Sequence, residues 1–384
     1  MSTLKVNAIT DASGGNTATI NSMTPTADSL QGQRNRIING DMRIDQRNAG
    51  ASVTPTNASY TLDRWSCFLS GGGAYSVQQS STAPTGFVNS LLVTTTTADS
   101  SIAAGDYYIL THIIEGTNIS DLAWGSASAK TVTLSFWVRS SLTGTFSGSL
   151  ENSAGNRSYP FTYTISAANT YEYKTVTIAG DTTGTWLTTT GSGIKLRLSL
   201  GMGSTYSGTA GAWAASGYYA ASSETAKVIS TLSATFYITG VQLEVGSVAT
   251  PFERRDYGRE LAMCQRYYYK TSGSAQTGSR ITQAGYAVST TVARVSNVFP
   301  VPMRATPSAL EQSGTAGQYS VVGFGSVRTT CSAVPAFSDA QTDHATTAFT
   351  VASGLTAWTG GQGAAENVTT PSATVAYLAW SAEL

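Results

Sequence analysis

The side chains in this sequence best placed to do chemistry are aromatic. From Gly201 to Thr225 the chain reads GMGSTYSGTAGAWAASGYYAASSET, with no charge before Glu224 and with Tyr206, Trp213, Tyr218 and Tyr219 set among Gly, Ala and Ser. Trp and Tyr on such a loop can stack on the apolar faces of sugar rings while nearby hydroxyls and amides bond the sugar hydroxyls. The alternative is that the loop packs on its own domain or on a neighbouring subunit. Catalytic signals are sparse. Of the two histidines, His112 lies in the apolar run YYILTHIIEG and is expected to be structural, while His344 follows Asp339 and Asp343 in a polar stretch that does not define a metal site. There is no GxSxG, no HExxH, no P-loop and no GxGxxG leading into a helix. Glycan cleavage needs two carboxylates a few ångströms apart. Asp63, Glu115, Glu151 and Asp181 are available, but the sequence does not pair them.

The elements that must position these residues read as strands. From Ile37 to about Phe252, runs such as SLLVTTTT, DYYILTHII, KTVTLSFWVRS, YPFTYTIS and GIKLRLSLGM are rich in Val, Ile, Thr, Tyr and Phe and are separated by Gly, Ser and Asn. That pattern predicts a β-sandwich of jelly-roll type over 37–252. In KTVTLSFWV, Val132, Leu134, Phe136 and Val138 alternate with Thr131, Thr133, Ser135 and Trp137, and Trp65, Phe136 and Phe236 are expected in the core. Val241, Leu243 and Val245 continue the alternation until Pro251 stops it. Tyr257, Leu261, Cys264 and Tyr268 then fall four, three and four apart, which predicts a connecting helix over 253–270 with these four on one face. Residues 271–384 read as a second β domain with Val288, Val292, Val295 and Val298 buried, and Pro300, Pro302 and Pro307 at an edge or turn. Residues 1–36 have little to bury and read as an extended arm.

Composition narrows the function classes. Hydrophobic residues make up 41% of the 384 and charged residues only 11%, well below the roughly 25% usual in soluble domains, so the surface must be coated with Ser, Thr, Asn and Gly. Lys plus Arg equals Asp plus Glu at 22 each, which argues against a nucleic-acid partner. A local excess of eight basic over three acidic residues between Glu253 and Arg304 fits complementary charge between packed segments or subunits. Cys67, Cys264 and Cys331 are too few and too scattered for a disulfide framework and suit folding in a reducing cytosol. No run approaches the ~20 apolar residues of a membrane span, and no signal-peptide pattern opens the chain. Release by lysis is therefore the expected route to an extracellular role.

The segments TGVQLEVG, PFERRDYGRELAMCQRYYYK and FPVPMRATP, with the N-terminal stretch and INGDMRIDQRNAG followed by YTLDRWSCFL, resemble the joints and first strands of tail fibre or receptor-binding proteins of tailed bacteriophages and their prophages. Those proteins carry a jelly roll similar to a carbohydrate-binding module. The resemblance implies a virion protein assembled in the host cytoplasm as a homotrimer. Its arm (1–36) would attach to other tail proteins, and its terminal β domain (271–384) would be the tip meeting host-surface polysaccharide. It implies no nucleic-acid partner and no membrane insertion. Under it, Tyr257, Leu261, Cys264 and Tyr268 would line a three-helix stalk, unless the helix packs on its own domain. Asp41 in the first strand and Glu244 in the last would approach each other as a Ca²⁺ site, hard oxygen ligands suiting that ion. A glycan-depolymerising enzyme and a purely structural tail or decoration protein are the rival readings.

Overall fold

The computed structural model describes residues 33–272, 285–322, 328–353, 355, 367–369 and 376–384. The expected arm therefore lies outside the described residues as far as residue 32. The chain divides into two compact units: residues up to Arg43 with Gly50–Arg255, and Ile44–Ala49 with Asp256–Leu384.

The first unit contains β1 (Ser59–Leu62), β2 (Trp65–Ser70), β3 (Ala74–Ser80), β4 (Ser90–Thr97), β5 (Tyr107–Glu115), β6 (Val132–Ser140), β7 (Gly144–Asn152), β8 (Ser158–Ile165), β9 (Glu172–Ile178), β10 (Ser192–Met202), the short β11 (Ser207–Gly208) and β12 (Ala220–Ala221), and β13 (Thr235–Val245). They form a six-stranded sheet in the order β1-β2-β5-β10-β7-β8 and a five-stranded sheet in the order β3-β4-β13-β6-β9. The chain passes repeatedly from one sheet to the other, as a jelly-roll sandwich requires. Strand alternation sets which side chains face inward. Val132, Leu134, Phe136 and Val138 of β6 are fully buried, as are Trp65 and Phe236, so the sequence periodicity located this core correctly.

One buried stretch is not a strand. The INGDM segment was expected to be the first strand, but it forms a turn, because Asn39 (φ 57°) and Met42 (φ 58°) adopt the left-handed conformation that no strand accommodates. Asp41 therefore sits in a buried turn. Beyond Ile238, where β4 stops pairing with β13, residues 36–40 take over its edge: Arg36 N–H donates to Leu243 O (2.9 Å) and Val241 N–H to Gly40 O (2.9 Å). At Gly40 an added Cβ would lie 2.2 Å from Val241 O, so only glycine fits this approach.

The remaining polar groups of that irregular backbone are met by side chains. Asn35 accepts from the amides of Ile37 (2.9 Å) and Leu243 (3.1 Å) and donates to Val241 O (3.0 Å). Trp65 Nε1 donates to Asn39 O (3.1 Å), and Asn39 donates to Asp63 O (3.0 Å). Arg255, at the end of the unit and 7% exposed, donates to the carbonyls of Ile37 (3.1 Å) and Asn35.

Between β11 and β12, and on to Glu224, a loop crosses the outer face of the six-stranded sheet. Glu224 accepts a bond from Ser147 Oγ on β7 (3.0 Å). Burial pushes its carboxyl up from 4.5 to about 7, against the opposing effect of bonds from Ser199 and Ser147.

The second unit holds one helix, α1 (Tyr257–Gln265), then β14 (Tyr268–Ser272), β15 (Gly285–Ala287), β16 (Val292–Val298), β17 (Glu311–Gln312), β18 (Ser320–Val322), β19 (Arg328–Thr330), β20 (Ala336–Ala340), β21 (His344–Thr350), β22 (Asn367–Thr369) and β23 (Tyr377–Ser381). Its sheets are β14-β23-β17, β15-β16-β21-β20 and β19-β18-β22. The helix has nine residues, shorter than the 253–270 expected. The aromatic run from Tyr267 favours extended backbone, and pairing with β23, from Tyr268↔Ser381 onward, supplies a ladder that ends it. Inward residues of β16 are Ala293, Val295 and Asn297. The expectation for Val288 and Val298 fails, since both are exposed: Val298 lies on the outward phase of β16, whose buried positions are odd, and Val288 lies in the bend after β15.

Two outcomes are expected. Arg255→Ala strands two buried carbonyls, each costing about 1–3 kcal/mol, and lowers the urea midpoint of the first unit, whereas Arg254→Ala, at an exposed site one residue earlier, shifts it far less; equal midpoints would refute the clamp. Glu224 keeps its proton in the folded state up to about pH 7 but loses it near 4.5 when unfolded. Its contribution to stability therefore falls as pH rises from about 4.5 to 7 and is flat above. The stability difference between wild type and Glu224→Gln, measured by denaturation across that range, should carry this slope.

Candidate functional site

The loop aromatics are engaged with their own unit. Tyr206 and Tyr219 stack flat on each other (centroids 4.7 Å apart, planes 3°), and both meet Tyr107 edge-on at 5.3 and 5.9 Å. The Arg197 guanidinium lies 4.2 Å from the Tyr219 centroid and is paired with Glu151 at 2.6 Å. Trp213 packs edge-on against Trp124 (5.3 Å), Trp186 (5.4 Å) and Tyr159 (5.3 Å), and donates its indole N–H to Ala179 O (2.8 Å). Tyr218 is half-buried with its ring against Gly208. These four rings hold the loop down over the six-stranded face.

The other expected sites are dispersed. Both oxygens of Glu244 accept bonds, from Gln242 Nε2 (2.8 Å), Thr250 N–H (2.8 Å) and Thr250 Oγ1 (2.6 Å), while Asp41 is paired with Arg43. Each carboxylate is thus held by protein donors. Among the described residues no group of three or more His, Cys, Asp or Glu is arranged to hold a metal ion. Of the stripe expected to line a stalk, Cys264 and Tyr268 are buried within their own unit, Leu261 is half-buried and Tyr257 is exposed. Tyr268 leaves the helix for β14, so the four do not share a helical face.

Among the candidate acids, Glu151 is tied to Arg197, and Asp181 to Arg157 by a two-point bond (2.8 and 2.6 Å). Burial works to raise Asp181, but the Arg157 fork outweighs it and holds the carboxyl below its usual range. His112 is fully buried against Trp65 with Nε2 at 3.0 Å from Ile38 O. Burial, then the charges of Arg64 and Arg255, hold its pKa well below the ordinary value, so it stays neutral.

The open aromatic surface lies on the opposite side of the sandwich, on the outer face of the five-stranded sheet. Strand register builds it. Tyr173 of β9 pairs with Trp137 of β6, and Trp137 with Thr239 of β13. In the next outward row Arg139 pairs with Tyr237, and Tyr237 with Leu92 of β4. The Trp137 and Tyr173 rings are 5.3 Å apart and inclined at 46°, and Tyr173 is 43% exposed.

Facing this pair is a second wall, made by Phe87 from the turn before β4 and Phe252 from the segment after β13, in edge contact at 5.3 Å. The Arg254 guanidinium lies 4.8 Å from the Phe87 centroid and donates to Gly86 O at 2.6 Å. Gly240 (φ 61°) sits at the β13 bulge between the walls, where a Cβ would be 2.7 Å from the Phe87 ring and 3.2 Å from Trp137. Its missing side chain opens the groove floor. The groove encloses about 510 Å³, with Ser135, Thr85 and Thr250 among its polar lining, a size and a mixture of rings and hydroxyls suited to a small ligand or a short oligomer.

Sequence reasoning placed Trp137 on the non-core phase of β6 without drawing the consequence. A tryptophan alternating with threonine and serine on the non-core phase of a strand becomes a signal once a second ring joins it in a patch, as Tyr173 does through the β6–β9 register. Phe87 and Phe252 had no such signal, because only the tertiary fold brings the two turns together.

No protein-family model matches the chain, and no curated protein does. Among solved structures, the enzymatically active domain of tailspike protein 4 of bacteriophage CBA120 is similar over 56% of this chain and 22% of its own, at 14% identity and a TM-score of 0.30. A family 4 carbohydrate-binding module is similar over 55% of this chain and 99% of its own, at 13% identity and a TM-score of 0.28. A family 11 carbohydrate-binding module from Clostridium thermocellum, in complex with a mixed-linked tetrasaccharide, is similar over 53% and 100%, at 12% identity and a TM-score of 0.26. The alignment thus spans about a fifth of the tailspike chain but nearly all of each module. At such scores these likenesses carry no weight for function, and the jelly-roll assignment rests on the strand order described above.

Proposed function

We propose that the first unit binds a glycan along the groove of its five-stranded sheet, and that the chain is a tail fibre or receptor-binding protein of a tailed phage, trimeric, attaching the virion to host-surface polysaccharide. The observation that carries the binding reading is the pair of aromatic walls, Trp137 with Tyr173 and Phe87 with Phe252, lining one open groove together with the hydroxyls of Thr85, Ser135 and Thr250. Sugar rings present apolar C–H faces to such walls and hydroxyls to the polar groups between them. The virion setting is supported by the joint segments of the sequence and by a surface poor in charge. Binding without cleavage is the form we favour, because none of the described residues lining the groove is Asp or Glu and hydrolysis needs two carboxylates at the bond.

A glycan array probed with the full chain tests this directly. Trp137→Ala should weaken the retained glycan at least tenfold, equivalent to about 1.4 kcal/mol, with an unchanged melting temperature, and no oligosaccharide should be released on long incubation. Retention unaffected by Trp137→Ala and Phe252→Ala would sink the groove as the binding site.

A further inference from the structure

We infer that the glycan is acidic, bearing carboxylate, sulfate or phosphate groups, and that Arg139 and Arg254 read its charge; this rests on the glycan-binding reading of the same groove. Five other arginines of the first unit pair with carboxylates, Arg36 with Asp121, Arg43 with Asp41, Arg157 with Asp181, Arg197 with Glu151 and Arg255 with Glu253, while Arg34 and Arg64 donate to the carbonyls of Pro251 and Ile113. Among the described residues Arg139 and Arg254 have no carboxylate at ion-pair distance. Instead each rests on rings of the open face, Arg139 4.9 Å from the Tyr237 centroid and 5.9 Å from that of Tyr171, Arg254 4.8 Å from Phe87 and 6.0 Å from Phe252.

Stacking holds the guanidinium groups on the rings; of the five N–H donors an arginine has, Arg254 spends one described bond on Gly86 O, and Arg139, whose Nε is buried, presents its Nη groups. Arg139 stands two residues along β6 from Trp137, about 7 Å at strand rise, while Arg254 lines the groove itself. The two cations therefore bracket the Trp137–Tyr173 platform. Acids near this face are already engaged: Glu244 by Gln242 and Thr250, Glu253 by the amides of Gln33 and Asn35. Two arginines without an ion pair on one aromatic face present charged N–H donors that an uncharged sugar would not need. An anionic sugar would meet them with charge-assisted, two-point bonds.

The test uses the full chain and uronic-acid polysaccharides, each paired with its carboxyl-reduced neutral form. Affinity for the acidic member should exceed that for its reduced partner at least tenfold and fall as salt is raised from 50 to 500 mM. Arg139→Ala and Arg254→Ala should each narrow that acidic-to-neutral ratio several-fold, with Lys at either position restoring part of it. Equal binding of acidic and reduced polymers overturns the charge assignment and leaves glycan binding standing. Failure to bind any polymer of the panel or of a broad glycan array removes both. Self-association that Arg139→Ala and Arg254→Ala abolish would assign the face to a second copy of the chain and overturn the inference.

Discussion

A length of irregular backbone inside a β-sandwich has to find partners for its amides and carbonyls, and in the first unit that need falls on residues 35–40. Five of these six residues are buried, and a buried carbonyl left bare costs about 1–3 kcal/mol. The edge of β13 takes part of the demand, and Asn35, Trp65 and Arg255 take most of the rest. Because Arg255 and Asn35 lie at the two chain ends of the unit, meeting this demand also joins those ends. Glu253 strengthens the joint by accepting the amides of Gln33 (3.1 Å) and Asn35 (2.7 Å), and its own amide is held by Gln242 (2.8 Å). Residues 251–254 are thereby fixed against β13, and they are one wall of the groove. The binding face depends on a buried clamp that touches no ligand.

The two faces of the sandwich take opposite courses from similar strands. On the six-stranded side the loop from Gly203 to Glu224 lies over the sheet and turns its rings inward, sealing the Glu151–Arg197 pair, both residues under 7% exposed. A buried pair of this kind adds little net stability, yet losing one partner is costly, so it favours a single seating of the loop. On the five-stranded side Tyr171 reaches past Tyr237 to donate to Thr82 O (2.6 Å), while Tyr173, beside Trp137, stays exposed. Aromatic content alone does not separate these faces. What separates them is whether the ring edges and indole N–H groups are already spent on the protein, as Trp213 spends its own on Ala179.

Legibility in the sequence followed locality. Strand existence and the core phase of β6 were readable because period-two alternation is a local property, and Val132, Leu134, Phe136 and Val138 are all fully buried, although Thr133 and Ser135 between them are buried too. INGDM misled because its composition does not reveal two left-handed residues, and its partners lie some two hundred positions away. The 4-3-4 spacing of Tyr257, Leu261, Cys264 and Tyr268 looked helical, but three successive tyrosines also suit a strand, and pairing with β23 decided between them. The site escaped for a related reason. A glycine-rich loop with four aromatics draws attention by composition, whereas the groove combines single residues from β6, β9, a turn and a post-strand segment, whose meeting is set only by sheet register.

The scarcity of charge bears on how such a face can work. In the first unit many described charges are paired internally, so attraction over distances beyond the ~8 Å Debye length at physiological salt is weak, and the proposed recognition would rest on contact: ring against ring, hydroxyl against hydroxyl, with the two arginines discriminating. Contacts of that kind on an open groove give modest affinity per site, because solvent competes for every hydrogen bond. The groove is pre-formed, its rings held by strand register and by a segment clamped at Glu253 and Arg255, so little conformational entropy is lost on binding. A rigid, weak, charge-selective site gains most from repetition. On the proposed reading, several copies facing a polymer with repeating acidic units would convert successive weak encounters into intramolecular ones, so the proposed trimeric fibre would contribute more to attachment than the strength of any single groove.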